Sequence, residues 1–296
     1  MENNSTKSME MILVKLTGGL GNQMFQYSFA KALQSKGYEV KLDISTFETY
    51  TLHGGFGLEH YSITIPIASK DELLPYKTNF LTRIGRKLNL SNKKFIGEKT
   101  LLFQKELLSP PDNTSLYGYF QSEKYFNSLR HTILKEITLK APLSPYSTSI
   151  EKTIQSLGDT ASIHIRRGDY ITDSKTHKFH GICGLDYYEE AISRLNSKFE
   201  SIHYFIFSDD IEWVKNNLSI KNSTYIENDS SRIPHEDMYL MSLCHHNIIA
   251  NSSFSWWGAW LNQNSKKMVI APKKWFLDDK MAQQSRDIVP ESWNRI

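Results

Sequence analysis

The stretch MILVKLTGGLGNQ, residues 11–23, decides the fold of the amino-terminal half. Its first six residues form a short apolar run, which is typical of a buried β-strand, and a glycine-rich turn follows. After the turn, Phe25, Phe29 and Leu33 recur at helical spacing, and Gly37 supplies a stop signal. The residues EVKLDI then begin a second strand. This β–loop–α–β order predicts the start of a parallel sheet.

The second half of the chain alternates strands and helices more clearly. The predicted strands are TASIHI, HYFIF, STYIEN, NIIAN and KMVIAP, and the predicted helices cover residues 185–195, 237–245 and 255–263. Two prolines among serines predict a linker at residues 141–149. We therefore expect two α/β domains, residues 1–145 and 146–296, which face each other across a cleft. Folds of this kind bind ligands at strand ends and loops.

Composition excludes several classes of protein. The chain has 296 residues, of which 40% are hydrophobic and 23% are charged, and this is typical of a globular protein. A formal charge of +3 is too small to imply a nucleic-acid partner. Two cysteines, Cys183 and Cys244, are too few for a disulfide framework. No apolar run approaches the ~20 residues of a membrane span, and the polar start is no signal peptide, so we expect a cytoplasmic protein.

Residues 77–105 are strongly basic, with eight Lys or Arg and one acid, Glu98. Apolar residues are interleaved with these charges. One interpretation is a basic amphipathic helix that gives the protein a peripheral contact with a membrane surface. We favour the other interpretation, a solvated basic face.

The strongest chemical motif is HIRRGDY, His164–Tyr170, at the carboxyl end of a predicted strand. Because side chains alternate along a strand, His164 and Arg166 are expected on one face and Arg167 on the other. Arginine offers a planar fork of donors that suits phosphate, in bonds worth about 1.5–3 kcal/mol each. The alternative is a structural arginine pair, bridged to Asp169 and another carboxylate. Both interpretations stay open on this motif alone.

Two other motifs combine loops with helix starts. In GGLGNQ, residues 18–23, glycines allow close approach of a ligand and the next helix presents N–H groups to an anion. Met24 replaces the third glycine of a dinucleotide fingerprint, so a plain tight turn is the alternative. In NSSFSWWGAWL, residues 251–261, the first three residues are candidates both for helix capping and for ligand binding. Its tryptophans are expected in the core rather than in a sugar platform.

Three aspartates are the remaining candidates for residues that bind a ligand. The carboxylate of Asp237 can accept two parallel hydrogen bonds, which fits the N–H edge of guanine. For Asp237, Asp209 and Asp210 the alternative is helix capping or a salt bridge at a strand end, and it is favoured for at least one of the last two. The sequence has no D-x-D pair and no residues at metal-ligand spacing, so we expect no metal cofactor.

The motifs together resemble a known family. GGLGNQMFQY, GYFQSEKYF, HIRRGDY, FSDDIEW and NSSFSWWGAWL, in this order, are similar to bacterial α-1,2-fucosyltransferases of glycosyltransferase family 11. The resemblance implies a GT-B-like pair of Rossmann-type domains, with an acceptor-side first domain and a GDP-fucose-binding second domain. It also implies GDP-fucose as the donor, inversion at the fucose anomeric carbon, and transfer to the 2-hydroxyl of a galactose-terminated glycan.

The resemblance implies residue roles as well. HIRRGDY is similar to the H-x-R-R motif of α-1,6- and protein O-fucosyltransferases, in which Arg166 would hold the β-phosphate and His164 would lie against the nucleoside. Asp237 would bind guanine, Ser253 the β-phosphate, and Asn22 the diphosphate or fucose. The full predicted donor-binding set is Gly19, Gly21, Asn22, Gln23, His164, Arg167, Asp237, Asn251, Ser252 and Ser253.

The acceptor hydroxyl is expected to need a general base. The candidates are Asp169, Asp173, His53 and His180, and we choose Asp169, so that Arg166 and Asp169 form the predicted catalytic pair. Three alternatives to this function remain: fucosyl transfer to another position, α-1,6-like; a non-catalytic protein that binds sugar nucleotides or glycans; and, least favoured, a nucleic-acid binder.

Overall fold

A computed structural model describes residues 11–49, 54–76, 94–167, 181–228 and 233–296. The chain divides into two compact units, Met1–Thr138 and Leu139–Ile296. The division precedes the predicted boundary at residues 145 and 146, which falls at the first residue of a helix.

The first unit contains a four-stranded parallel sheet in the order β2-β1-β4-β3. Its strands are β1 (Ile12–Lys15), β2 (Val40–Asp43), β3 (Lys94–Gly97) and β4 (Thr114–Tyr117). Its helices are α1 (Leu20–Ser35), α2 (Lys70–Leu73) and α3 (Arg130–Glu136). Short 3₁₀ turns connect these elements, among them Lys105–Leu108 and Glu123–Tyr125. The predicted β–loop–α–β opening is confirmed.

Helix α1 is the centre of this unit because almost all of its side chains are buried. The ring of Phe29 stacks on that of Phe120, with 3.9 Å between ring centroids. Gln26 is also buried, and its amide joins two loops: it accepts the Thr17 N–H at 2.9 Å and donates to the Gly118 carbonyl at 2.9 Å. Buried backbone groups at the ends of β1 and β4 are thereby satisfied.

The second unit contains a six-stranded parallel sheet in the order β10-β9-β8-β5-β6-β7. Its strands are β5 (Asp159–Ile165), β6 (Ile202–Ser208), β7 (Ser223–Tyr225), β8 (His246–Ile248), β9 (Val269–Ala271) and β10 (Asn294–Arg295). Its helices are α4 (Pro145–Ser156), α5 (Leu185–Asn196), α6 (Ile211–Asn217), α7 (Pro234–Leu243), α8 (Ser253–Leu261) and α9 (Asp279–Gln284). The strands predicted for this half of the chain are all present.

The three tryptophans of α8 lie in the core, as expected. Trp256, Trp257 and Trp260 are almost completely buried, and the rings of Trp256 and Trp260 stack with centroids 6.1 Å apart. The indole N–H of Trp256 donates to the Ile288 carbonyl at 2.7 Å. These side chains therefore offer no ring face to a sugar.

One prediction about a connecting segment is wrong, and one alternative interpretation is restricted. The linker predicted at residues 141–149 contains the start of α4, because Ser144 caps this helix, Pro145 occupies its first turn and Ile150 and Ile154 are buried. The amphipathic helix considered for residues 77–105 cannot include Lys94–Gly97, which pairs with β4 as strand β3. Residues 77–93 lie outside the described residues. No helix in the described ranges is long and apolar enough to cross a membrane.

Candidate active site

Each sheet contains a reversal point, which is the position where the chain stops adding strands on one side of the sheet and continues on the other side. From β5 the chain proceeds to β6 and β7 on one side, and it then returns to β8 on the other side. In the first unit, β2 and β4 likewise flank β1. Open parallel sheets bind ligands outside the carboxyl ends of the two strands at such a point. The candidate positions are therefore the ends of β5 and β8, and the ends of β1 and β4.

In the second unit, two arginines meet two aspartates. Arg166 and Arg167 directly follow β5, and Asp209 and Asp210 directly follow the neighbouring strand β6, with Ile165 paired to Ser208. Arg166 Nε lies 3.5 Å from an Asp209 carboxylate oxygen, and Arg167 Nε lies 3.3 Å from one of Asp210. The expectation of strand-end salt bridges for this aspartate pair is confirmed.

Arg167 has further contacts that hold it in place. Its guanidinium carbon lies 3.4 Å from the centre of the Trp213 ring, and its backbone N–H donates to Asp209 at 2.9 Å. Asp210 also caps α6 by accepting the Trp213 N–H at 3.2 Å. Asp169, the carboxylate named in the structural alternative for the arginine pair, lies outside the described residues; the described partner of Arg167 is Asp210. These contacts hold the Arg167 side chain in place, and its predicted contact with the donor stays a prediction.

His164 lies on the same strand face as Arg166, and only 6% of its surface is exposed. Burial, helped by the positive charge of Arg166, lowers the pKa of His164 to about 3, so its imidazole is neutral at physiological pH. The buried Nδ1 has no hydrogen-bond partner among the described residues. The ring lies 5.7 Å from the ring of Phe254, in the first turn of α8. The end of β5 and the start of α8 are thus adjacent.

The start of α8 is the second part of the candidate site at the carboxyl edge of the second sheet. Ser252 caps the helix by accepting the Phe254 N–H at 3.3 Å, and Ser253 is its first residue. The N–H groups of a helix's first turn, with its dipole, favour an anion. Ser252 and Ser253 are therefore placed where a phosphate could bind.

Asn251 does not fit its predicted donor-binding role. Its side chain is buried, and its amide donates to the carbonyls of Gly181 at 3.3 Å and Trp275 at 3.2 Å. Both N–H groups of the amide are therefore used to hold two loops together. We remove Asn251 from the donor-binding set.

Asp237 lies in the first turn of α7 and is half-buried. Because α7 connects the carboxyl end of β7 to the amino end of β8, its first turn lies towards the carboxyl edge of the sheet. An acidic residue at this position also interacts favourably with the helix dipole. The position of Asp237 is therefore compatible with binding guanine and with a structural role at the start of the helix.

In the first unit, the GGLGNQ loop leads from β1 into α1. Gly18 has a φ of +78°, and a Cβ there would lie 2.6 Å from the side-chain nitrogen of Asn22, so glycine is required. Gly19 precedes the helix and Gly21 lies in its first turn, where no described side chain caps the N–H groups. The loop thus presents backbone donors at the edge of the sheet.

Gln23 is the second correction to the predicted set. Its completely buried amide donates to the carbonyls of Gly18 at 2.9 Å and Gly55 at 2.8 Å, and accepts the Gly57 N–H at 2.9 Å. All of its donors serve the protein itself, so we remove it as well. Asn22 instead accepts a 2.8 Å hydrogen bond from Gln121, in the loop after β4. Sequence reasoning missed Gln121, although the GYFQ motif signals this loop.

The proposed general bases Asp169, Asp173, His53 and His180 lie outside the described residues. Within the described ranges, no three His, Cys, Asp or Glu side chains are grouped so that they could hold a metal ion.

The sequence of the whole chain matches one family. The model of glycosyl transferase family 11 matches residues 2–296. The chain belongs to glycosyl transferase family 11. Among curated family relatives, an alpha-1,2-colitosyltransferase of Escherichia coli is 36% identical across 97% of this chain and 99% of its own length. The O-antigen biosynthesis glycosyltransferase WbnK of Escherichia coli is 34% identical across 92% and 97%.

Two further comparisons are more distant. Galactoside 2-alpha-L-fucosyltransferase Sec1 of Mus musculus is 22% identical across 85% of this chain and 64% of its own length. The solved fucosyltransferase NodZ from Bradyrhizobium, 13% identical, has a TM-score of 0.51 and covers 84% of this chain and 91% of its own. The last likeness concerns the fold alone. The predicted α/β class, of GT-B type with a parallel sheet in each of two units, is confirmed.

Proposed function

We propose that this family 11 glycosyltransferase transfers L-fucose from GDP-fucose to the 2-hydroxyl of a terminal galactose, with inversion and without a metal ion. The observation that carries the proposal is the convergence of Arg166, neutral His164 and the start of α8 at the reversal point between β5 and β8. The activities that give two relatives their names, alpha-1,2-colitosyl transfer and galactoside 2-alpha-L-fucosyl transfer, support the linkage.

The proposed reaction is a single displacement. The acceptor oxygen forms a bond to the anomeric carbon as the bond between that carbon and the β-phosphate oxygen breaks, and GDP leaves with the electron pair. Negative charge therefore develops on the β-phosphate. Arg166 and the first N–H groups of α8 are proposed to stabilise this charge, which lowers the barrier because it is greatest in the transition state. The acceptor proton is proposed to pass to Asp169.

The nucleoside is proposed to lie against neutral His164, with guanine bound by Asp237. Asp237→Asn replaces an acceptor oxygen with a donor that faces guanine's own donors, so the affinity for GDP should fall by a few kcal/mol at most. Calorimetric titration with GDP measures this change. Asp279→Asn, in the first turn of α9, controls for loss of a helix-dipole interaction and should leave GDP affinity unchanged. Equal GDP affinity for Asp237→Asn and the unmodified protein would contradict the guanine role.

The second candidate is colitosyl transfer, favoured by the 36% identical relative. Colitose is L-fucose without its 3-hydroxyl, so the two donors would share the nucleotide site. The protein should be incubated with GDP-fucose or GDP-colitose and a panel of galactosides, and the products analysed by mass spectrometry and linkage analysis. A fucosyl α-1,2-linked product supports the proposal. Turnover of GDP-colitose alone would replace it with the second candidate, and another linkage would refute the acceptor assignment.

A further inference from the structure

Two tyrosines at the end of β4 expose large parts of their rings. Tyr117 is 53% exposed and Tyr119 is 43% exposed, and only Gly118 separates them. Most other aromatic side chains described in the first unit are buried or half-buried. Two aromatic rings, one residue apart in sequence, therefore offer apolar surface to solvent at this end of the strand.

The backbone that carries these tyrosines is held by Glu98, the residue after β3. Its carboxylate accepts the N–H groups of Tyr119 at 2.8 Å and Phe120 at 3.1 Å. A Cβ on Gly118 would lie 2.5 Å from that of Glu98, so the loop needs glycine to fold around the carboxylate. Burial raises the pKa of Glu98 to about 7, although the two N–H donors lower it. The loop therefore folds around a partly buried carboxyl group, and burying the charged form of this group costs free energy.

Phe120 shows that this loop conformation is strained. Its φ is +51°, which is unusual for a non-glycine residue and costs on the order of 1–3 kcal/mol. Its ring is completely buried and stacks on Phe29, which keeps the strained backbone in place. Strain of this kind persists where the surroundings over-determine it, often at functional sites.

Tyr117 is positioned as well. A Cβ on Gly97, its partner residue in β3, would overlap the Tyr117 ring, so the ring lies directly against the Gly97 backbone. A ring that is already held in one orientation loses little conformational entropy when a ligand binds. The same loop continues to Gln121, which bonds Asn22. The two tyrosines therefore lie at the carboxyl end of β4, on the side of β3, and Gln121 links the same loop to the GGLGN loop.

We propose that Tyr117 and Tyr119 form a platform that binds the galactose end of the acceptor glycan. The inference rests on the proposed function for the class of acceptor. Galactose has an apolar face of C–H groups that can pack on an aromatic ring, while its hydroxyl groups remain at the rim. Tyrosine combines an apolar ring with a polar tip and so matches both parts of such a ligand. Glu98 acts on the platform as a positioning residue.

The first test is kinetic, with lactose as the acceptor. Tyr117→Ala and Tyr119→Ala should each raise the KM for lactose about tenfold, as expected for loss of one aromatic contact, and leave the KM for the donor and the Tm unchanged. Tyr117→Phe and Tyr119→Phe keep the rings and should retain most of the lactose affinity. Leu74→Ala, at another exposed apolar side chain of the same unit, is the matched control and should behave like the unmodified protein.

The second test measures lactose binding without any donor, by saturation-transfer NMR. Saturation should reach the galactose protons in the unmodified protein and be lost in both alanine variants. If lactose binds in this way but no sugar is transferred from either donor, the proposed function fails and the platform stands. If transfer occurs and both alanine variants keep the lactose KM and the NMR signal, the platform is refuted and the function stands. If lactose and every galactoside of the panel are neither bound nor fucosylated, both proposals fail.

Discussion

At the end of β5, two consecutive arginines have different surroundings. Arg167 is confined by Asp210 and the Trp213 ring, and 17% of its side chain is exposed. Arg166 is on the strand face of His164, its ion pair with Asp209 is longer, and 26% of its side chain is exposed. The difference follows from the alternation of side chains along a strand. It separates a residue proposed to contact phosphate from a residue that stabilises the fold.

Arg166→Lys should lower kcat by about two orders of magnitude, because lysine keeps the charge but loses the bidentate fork, and Arg166→Ala should lower it further. Arg167→Ala should instead lower the Tm by a few degrees, because it removes a cation–π contact and an ion pair worth about 1–2 kcal/mol together. The two roles are compared by measuring kcat and Tm for Arg166→Ala and for Arg167→Ala. A catalytically inactive Arg167→Ala beside a merely unstable Arg166→Ala would reverse the two roles.

The buried imidazole of His164 predicts a dependence of stability on pH. Its pKa is about 3 in the folded protein and about 6.5 when exposed in the unfolded chain. Below pH 6.5 the unfolded chain binds a proton that the folded protein does not, so the free energy of unfolding should fall as the pH falls from about 6.5 towards about 3. His164→Gln should flatten the decline in Tm between pH 7.5 and 5. His131→Gln, at an exposed histidine, is the control; equal slopes in both variants would contradict the prediction.

At the scale of elements, helices α4 and α7 are joined through one buried carboxylate. Glu236, in α7, accepts the N–H of Ser144 at 2.9 Å and the Ser144 hydroxyl at 2.7 Å, and it also accepts the Ser147 hydroxyl. Ser144 Oγ in turn caps α4 by accepting the Ser147 N–H at 3.2 Å. The start of α4 thus depends on a residue almost a hundred positions later in the chain.

Glu236→Gln should lower the free energy of unfolding by about 1–3 kcal/mol, since an amide replaces an acceptor oxygen among three donors. Ser144→Ala should cost about 0.5–2 kcal/mol through loss of the cap. Urea unfolding of both variants and of the double variant measures the coupling, which should be clearly non-additive. Ser149→Ala, exposed on α4, should change the stability by less than about 0.5 kcal/mol. Additive effects of the first two substitutions would show that the contacts are independent.

At the scale of the whole molecule, the prediction concerns metal ions. The sequence has no D-x-D pair, and the proposed mechanism uses Arg166 and backbone N–H groups to neutralise the diphosphate. Transfer activity should therefore survive excess EDTA almost undiminished. The assay is GDP release with and without EDTA, followed by addition of Mn²⁺ or Mg²⁺. Activity that is lost in EDTA and restored only by one of these ions would refute the metal-free mechanism.

Much of this architecture was predictable because its patterns are local. A strand that is buried between helices needs a continuous apolar run, and such runs identify β1, β5, β6 and β8 in the sequence. The spacing of the tryptophans in α8 likewise predicts their burial in the core, which is confirmed. Strand β3 was missed for the corresponding reason. It lies at the edge of its sheet, its first residue is an exposed lysine and the rest are only half-buried, so its sequence shows no apolar run.

By itself, the sequence determined the class of fold, the order of the elements in the second unit and the motifs at the carboxyl ends of β1, β5 and β8. Tertiary structure alone decided which partners these motifs have. Arg167 pairs with Asp210, 43 residues later, because β5 and β6 are adjacent and in register. The amides of Gln23 and Asn251 are used by loops that lie far away in the chain. The backbone of Tyr119 and Phe120 is held by Glu98, which follows the neighbouring strand β3. Hydrogen-bond partners distant in sequence are set by strand pairing, and local periodicity carries no information about them.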